Sequence, residues 1–340
     1  MNDQEQFDFV ALGDTVTDAF IRIQQASVFR VEEADGTVEE ELCLTNGAKI
    51  PYEFAKVLAG VGNSANAAVA ASRLGLKTAF ISDVGEDQYG QEIIDSLAKN
   101  GVDTRYIRKH PGQASNYHYV LWHGAERTIL IKHEAYDYKL PDIGSPKWIY
   151  FSSVGENSLP YHDEIADYLE SHPEVKLAFQ PGTFQIKIGA ERLKRIYART
   201  EVFFCNVEEA RIILKNDTAP KEELARLMSQ LGPKMSFITD GPKGGYAYNS
   251  YTGKSYFMPI YPDPKPPYER TGAGDACAST TTIALILGLG FEEALAWGPV
   301  NSMNVVQHVG AQEGLLTRQE LEDWLSKKPD YYHPNELALP

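Results

Sequence analysis

The sequence predicts an α/β fold with a mostly parallel central sheet and a small β-sheet inserted in its first half. Three observations carry this. From Trp148 onward, short apolar runs alternate with helix-length segments, the pattern of parallel strands joined by right-handed crossovers. Before that point, two stretches rich in β-branched and aromatic residues interrupt the alternation. Finally, Glu269-Arg270-Thr271-Gly272-Ala273-Gly274-Asp275-Ala276 places small residues and one acid at the head of a long apolar run from Ala276 to Leu289.

Taken in order, Phe7 to Leu12 reads as a buried strand ending at Gly13-Asp14, with Asp18 following and then Ala19 to Ile23. Acids just past the end of a first strand stand where such sheets place ligand groups, although acids are also ordinary turn residues. Val28 to Leu44 is β-rich and carries a hairpin signal at Asp35-Gly36. A second β-rich piece runs from Ser115 through Trp122, then His123-Gly124, then Arg127 to Ile131. Together these read as one inserted sheet, on segments of approximately 19–50 and 112–133, with edge strands of the main sheet as the alternative.

Ala59 to Asn66 precedes a small-residue helix from Ala67 to Leu74. Glycines there let the chain pass close to a ligand, and an Asn amide both donates to and accepts from a hydroxyl. An N-cap by Asn63 or Ser64 is the structural alternative. Trp148 to Val154, Val175 to Phe179 and Val202 to Cys205 read as strands, and Tyr161 to Glu170, Ala190 to Arg199 and Glu208 to Leu214 as helices. Asn206-Val207-Glu208-Glu209 has the form of a capping box. Ile238 to Tyr246 is a strand end, a glycine turn and a second strand, and Pro259 to Pro267 is extended and stiff. The tail from Lys327 reads as a surface strap. No repeat or linker divides the chain, so 1–340 reads as a single domain.

The stretch before Ala276 carries chemistry of its own. A helix N-terminus has unpaired amides and a positive dipole end, which attract an anion, and small residues allow close approach. An Asp beside that anion repels phosphate but is placed to take a proton from an attacking hydroxyl. The pairing suggests phosphoryl transfer to an alcohol. The alternative is a turn at Gly272 and Gly274, with Asp275 favoured by the dipole alone.

Thr271-Gly272-Ala273-Gly274-Asp275 resembles the C-terminal signature of the ribokinase-like (PfkB) sugar and nucleoside kinases. Glu269 stands where that family usually has Asp, and Arg270 where it often has a small residue. Other stretches resemble the family in its own order. Gly60 to Asn66 is similar to its N-terminal glycine motif, with Val61 in place of the first Gly and Asn66 matching the family Asn. Gly75, Gly85 and Gly90 continue that likeness as turn residues. Asn206 and Glu209 match Asn-x-x-Glu, and Thr239, Gly241 and Gly244 match Thr-x-Gly-x-x-Gly.

The resemblance implies a ribokinase-like three-layer α/β/α sandwich, with the inserted sheet as a lid that often pairs with a second lid in a homodimer. It implies an ATP-dependent kinase moving the γ-phosphoryl group to a sugar hydroxyl, with Asp275 as general base and Gly272, Ala273 and Gly274 as the anion hole. Asp18 binds the acceptor in that reading, with Asp14 as the weaker choice and Gly62, Asn63 and Asn66 beside it. Asn206, Glu209, Thr239, Gly241, Gly244 and Asn304 fall on the ATP side, with Mg²⁺ and its waters near Glu209; Asn304 reads equally as a solvent-facing helix residue, and Lys243 as a solvated surface charge with a phosphate contact as the alternative. Dependence on a monovalent cation stays open.

A nucleoside is the alternative acceptor, with Tyr117, Tyr119 and Trp122 stacking on its base, or else forming lid core or a dimer contact. A non-catalytic nucleotide- or sugar-binding regulator is the alternative from another class, against which an intact Asp275 counts. Composition agrees with a cytoplasmic small-molecule enzyme. The net charge of −15 disfavours nucleic acid and anionic membranes. Met1 to Gln6 has no signal-peptide pattern, and no apolar run is long enough to span a bilayer. Cys43, Cys205 and Cys277 are too scattered for a disulfide framework or a zinc site.

Overall fold

All four side chains of the strand Phe9–Leu12 are apolar and buried. A strand with no polar face must be covered on both sides. It is flanked in parallel by Trp148–Phe151 and Thr78–Gly85. The computed structural model describes residues 6–32, 38–124 and 126–338, and among these a ten-stranded sheet extends from that centre. Its order is Asn335–Leu337, Lys254–Met258, Gly245–Asn249, Met235–Thr239, Thr200–Asn206, Lys176–Phe179, Trp148–Phe151, Phe9–Leu12, Thr78–Gly85 and Ile107–His110. Pairing is parallel from Met235–Thr239 to Ile107–His110 and antiparallel across the other three strands.

Side-chain alternation gives the sheet two cores. Phe9 and Ala11 pack with the helices Asn63–Arg73, Gln88–Lys99, Ala273–Ile286 and Phe291–Val305. Val10 and Leu12 pack with Leu159–Ser171, Lys194–Arg199, Val207–Leu214 and Lys221–Ser229. This is the three-layer α/β/α arrangement. The helix expected from Ala190 starts only at Lys194, after turns at 190–193, and a short helix Thr183–Ile188 precedes it. Cys43, Cys205 and Cys277 are free thiols. No helix of the described residues is long and apolar enough to cross a membrane.

A separate four-stranded sheet has the order Tyr52–Val61, Val16–Ile23, Tyr117–His123, Glu126–Leu130. Its make-up differs from the sequence expectation. Ser27–Glu32 and Val38–Cys43 pair with each other as a two-stranded ribbon outside this sheet. Ser27–Glu32 is exposed along nearly its whole length, so no buried face ties it to a larger sheet. The expected turn at Asp35-Gly36 lies outside the described residues. The place is taken by Val16–Ile23 and by Tyr52–Val61, whose alternation is masked because much of the latter faces solvent.

The cap of the helix Asn63–Arg73 is also a correction. Gly62, at φ 120°, occupies it, and neither Asn63 nor Ser64 serves as an N-cap. A Cβ at Gly62 would sit 2.9 Å from the Asp14 carbonyl oxygen, so only glycine lets the two loops touch. The Ser64 hydroxyl donates to the Leu12 carbonyl instead, at 2.5 Å. The tail is more than a strap. Tyr332 is buried and its hydroxyl donates to the Ala296 carbonyl at 2.6 Å, and Asn335–Leu337 joins the main sheet.

The helices Ala273–Ile286 and Phe291–Val305 approach closely because Gly298 presents no side chain. A Cβ there would lie 2.7 Å from the Cys277 carbonyl oxygen and collide with the Thr281 hydroxyl. Gly298→Ala should therefore destabilise the protein by about 1–3 kcal/mol through overpacking, despite alanine's higher helix propensity. A rise in melting temperature would contradict this packing.

His162 is 2% exposed, with Nδ1 2.8 Å from the Ser158 carbonyl oxygen and Nε2 3.2 Å from the Gln185 amide nitrogen. A neutral ring donating through Nδ1 and accepting through Nε2 satisfies both contacts. Burial pushes its pKa down to about 4. The unfolded chain takes up this proton first as pH falls, so the stabilisation is complete above the unfolded value near 6.5 and is lost as pH drops toward 4, on the order of 3 kcal/mol in all. Thermal melts at pH 7 and pH 5 should show a smaller acid-induced loss for His162→Phe than for the wild type.

Candidate active site

The site gathers at the C-terminal ends of the parallel strands. From Phe9–Leu12 the chain moves to Thr78–Gly85 on one side and later to Trp148–Phe151 on the other. The crevice between them is a topological switch point, where open α/β sheets bind ligands. Asp14 follows the first of these strands, and its amide donates to the Ser153 carbonyl at 2.8 Å. Gln180 follows Lys176–Phe179, and Asn206 ends Thr200–Asn206.

The helix Ala273–Ile286 points its N-terminus at this edge. Gly272 caps it in the left-handed region at φ 76°. A Cβ at Gly272 would lie 2.6 Å from the Ala311 Cα, so a larger residue would push the loops apart. The Ala276 amide donates to the Gly272 carbonyl at 2.8 Å. In front of it the first-turn amides of Gly274 and Asp275 have no partner within the helix. Gly274 is exposed, with open space where a side chain would stand.

Glu269 explains how the loop before the helix is held. Its carboxylate is buried; one oxygen accepts from the Thr271 amide at 2.7 Å and from the Thr271 hydroxyl, and the other accepts from the Gly310 amide at 2.7 Å. Arg127, on the small sheet, approaches the same carboxylate at 3.5 Å. The longer reach of Glu lets one side chain staple two loops.

Asp275 is half-buried in the first turn of the helix. Asn66 Nδ2 donates to one carboxylate oxygen at 2.8 Å, and Gln180 Nε2 to the other at 3.1 Å. Both amides are oriented from behind: Gln312 donates to Asn66 Oδ1 at 3.0 Å, and the Tyr150 hydroxyl donates to Gln180 Oε1. Burial raises the Asp275 pKa, and the two amides and the Arg127 charge only partly oppose it.

Asp14 and Asp18 stand nearby on the first-strand segment. The Tyr138 hydroxyl lies 2.9 and 3.1 Å from the two Asp14 oxygens, and His133 Nδ1 is 3.4 Å from one of them. Asp18 Oδ1 is 3.3 Å from His118 Nδ1. Gly62 packs on Asp14, Asn63 opens the helix half-buried, and Asn66 reaches Asp275. Of the expected residues, Asp14, Gly62, Asn66 and Asp275 are thus joined by direct contacts.

Beside Gly274 lies a cavity of about 290 Å³, whose lining includes Thr239, Gly241, Gly244, Arg270, Ala273 and Gly274. Lys243 is exposed and is absent from that lining. Asn304 is not among the residues lining that cavity, and its amide donates to the Gly314 carbonyl at 2.7 Å. Helical spacing is the reason, since Pro299, Ser302, Met303 and Val306 share the cavity-facing side and position 304 falls off it.

Asn206 and Glu209 form a full capping box, with bonds of 2.8 and 2.9 Å. Burial raises the Glu209 pKa, and the Asp275 charge adds to it against the Asn206 bond. Among the described residues no cluster of three or more His, Cys, Asp or Glu side chains could hold a metal ion.

Gln180, Gln312, Tyr138, His118, His133 and Arg127 had no motif to mark them. Gln180 alone carried a signal, as the first polar residue beyond a buried strand. Trp122 is 2% exposed and edge-on to Phe54 and Tyr268, with Arg22 over its ring at 4.4 Å.

A profile of the pfkB family carbohydrate kinases matches residues 39–318. Ribokinase of Bacillus subtilis (strain 168) is 30% identical over 273 residues, covering 78% of this chain and 87% of that protein. The 5-dehydro-2-deoxygluconokinase of the same organism is 24% identical over 340 residues, covering 94% and 96%. Among solved structures, Arabidopsis thaliana ribokinase complexed with ribose and ATP superimposes with a TM-score of 0.75 at 19% identity, covering 94% of this chain and 99% of that one. The Methanocaldococcus jannaschii nucleoside kinase gives 0.73 at 16% identity, covering 95% and 99%. With the family profile matching most of its length, the chain belongs to the pfkB family of carbohydrate kinases, phosphotransferases with an alcohol group as acceptor.

Proposed function

We propose that this protein transfers the γ-phosphoryl group of ATP to a hydroxyl of a sugar, with Asp275 as the general base. The observation that carries this is the placement of Asp275 in the first turn of a helix whose leading amides have no partner within the helix, beside the open space at Gly274. Asp275 accepts the hydroxyl proton as the oxygen attacks in line. Asn66 and Gln180 hold its carboxylate in place, and the raised pKa makes it a better proton acceptor than an ordinary Asp. The backbone of Gly272, Ala273 and Gly274 stabilises charge on the transferred group.

ATP occupies the cavity lined by Thr239, Gly241 and Gly244, with its phosphates toward Gly274. Asn206 and Glu209 stand on the phosphate side. One Glu209 oxygen caps the helix and the other is left to bind through water, where a cation would relieve its repulsion with Asp275. Mg²⁺ held there would neutralise charge on the polyphosphate, and it commonly keeps water in place of protein ligands. Asp18 binds the acceptor.

Within a single kinase domain, the four-stranded sheet serves as a lid that excludes water. Its contact through Arg127 with Glu269 supports that role. Val57, Tyr119 and Leu130 align across its outer face and are exposed, which fits a homodimer through the lid. A sugar is favoured over a nucleoside because Trp122 is enclosed by Phe54, Arg22 and Tyr268 and Tyr119 lies on the outer face.

Release of ADP from ATP and Mg²⁺ across a panel of sugars and nucleosides tests the reading. One sugar should stimulate it. Asp275→Asn should keep ATP affinity within about threefold and lower kcat by about a hundredfold or more; turnover near the wild-type level would remove Asp275 as the base. Asn66→Ala deletes an interaction that lowers the Asp275 pKa, so the acid limb of its kcat profile should move to higher pH. A shift to lower pH would contradict the assigned hydrogen bond.

A further inference from the structure

The inward face of the lid has a chemistry of its own. Register pairs Asp18 with both Leu58 and His118, which sets the three side chains in one row. Leu58 presses against Gly310, where a Cβ would collide with it, so this row faces the loops around Asp275. His133 is brought to the same place by bonds on either side of it. The Tyr117 amide donates to the Lys132 carbonyl at 3.3 Å, and the Glu134 amide donates to Asn116 Oδ1 at 2.7 Å. Asn116 in turn donates to the Thr15 carbonyl at 3.2 Å, next to Asp14. The rings of His118 and His133 end 5.0 Å apart, each beside one aspartate.

His118 Nε2 is shielded from solvent and has no hydrogen-bond partner in the protein, while Asp18 Oδ1 and His133 Nδ1, equally shielded, have only the long contacts to His118 Nδ1 and Asp14, at 3.3 and 3.4 Å, which fall short of hydrogen-bond geometry. Buried polar atoms are costly unless well paired, and one unpaired ring nitrogen beside two poorly paired atoms marks a surface completed by a ligand. The group is mixed, with an anionic acceptor beside ring nitrogens that donate or accept. A hydroxyl does both and can bridge an imidazole and a carboxylate. A sugar acid would set its own carboxylate against Asp14 and Asp18. A nucleobase would present a flat face to a patch that needs in-plane hydrogen bonds.

We infer that His118 and His133, together with Asp14 and Asp18, form the wall that reads the acceptor, and that this acceptor is a neutral polyhydroxylated sugar whose hydroxyls bond to the two imidazoles. The inference rests on the phosphoryl-transfer reading above and adds the residues that set its specificity.

The test compares wild type, His118→Ala, His133→Ala, His118→Gln and His133→Asn, each shown by thermal melting to be folded. Gln and Asn keep an amide nitrogen near the lost Nε2 and Nδ1. Phosphorylation is followed for neutral aldoses and ketoses, their deoxy analogues, sugar acids and nucleosides. Each alanine variant should raise KM for the preferred neutral sugar by about tenfold or more with kcat within about threefold, the loss expected for one hydrogen bond to a buried group. The amide variants should recover most of that loss. A deoxy analogue lacking the contacted hydroxyl should bind wild type weakly and be insensitive to His118→Ala.

Unchanged KM in both alanine variants would overturn the proposal, as would amide variants no better than alanine, or a preference for a sugar acid or a nucleoside. Calorimetry of the same sugars with Asp275→Asn separates the two readings. Sugar binding that depends on His118 without wild-type turnover would uphold the wall and sink phosphoryl transfer. Turnover indifferent to both histidines would do the reverse, and no binding of any neutral sugar would sink the wall.

Discussion

A half-buried carboxylate at the mouth of a helix is the constraint that the rest of this structure serves. Burial alone makes the charged form of Asp275 unfavourable, yet two amide donors are brought to it from residues 66 and 180. Neither amide is free to turn over. Gln312 claims the oxygen of Asn66 and Tyr150 that of Gln180, so each offers its nitrogen to Asp275. A change at Gln312 or Tyr150 would act on Asp275 without touching it.

Bringing a helix end to that point requires close packing. The helix Ala273–Ile286 lies against Phe291–Val305, where Gly298 removes the side chain that would hold them apart. Ahead of the helix, Glu269 converts a loop into a fixed element by accepting from Thr271 and Gly310. A departure from the usual family residue at 269 is therefore accommodated by the loop it organises. At Asn206 and Glu209, local and ligand-directed roles are compatible. The capping box uses one carboxylate oxygen and leaves the other for the chemistry proposed at the phosphates.

The small sheet divides its work between faces. Successive residues of a strand point in opposite directions. Ala19 therefore aligns with exposed Val57 and Tyr119, while the adjacent Asp18 aligns with Leu58 and His118. One face offers apolar surface and the other a polar wall. A single-residue slip in register would exchange them, so pairing along Val16–Ile23 is decisive for the site.

Much of this was legible in the chain. The parallel strands beyond Trp148, the helix after Gly274 and the glycine turn at Gly241 to Gly244 follow from local pattern, because burial and backbone preference act on neighbouring residues. The helix start around Asp275 was legible for the same reason, as the loop and first turn are built from consecutive residues. The composition of the small sheet was not, since exposed strands such as Tyr52–Val61 carry little alternation. Nor was the turning away of Asn304, which depends on a carbonyl ten residues on. Sequence by itself determined the elements and the glycine-rich loop that opens the helix Ala273–Ile286. Only the tertiary structure decided which distant side chains meet there, because the contacts of Gln180, His118, His133 and Glu269 arise from strand register and loop packing, which no local spacing encodes.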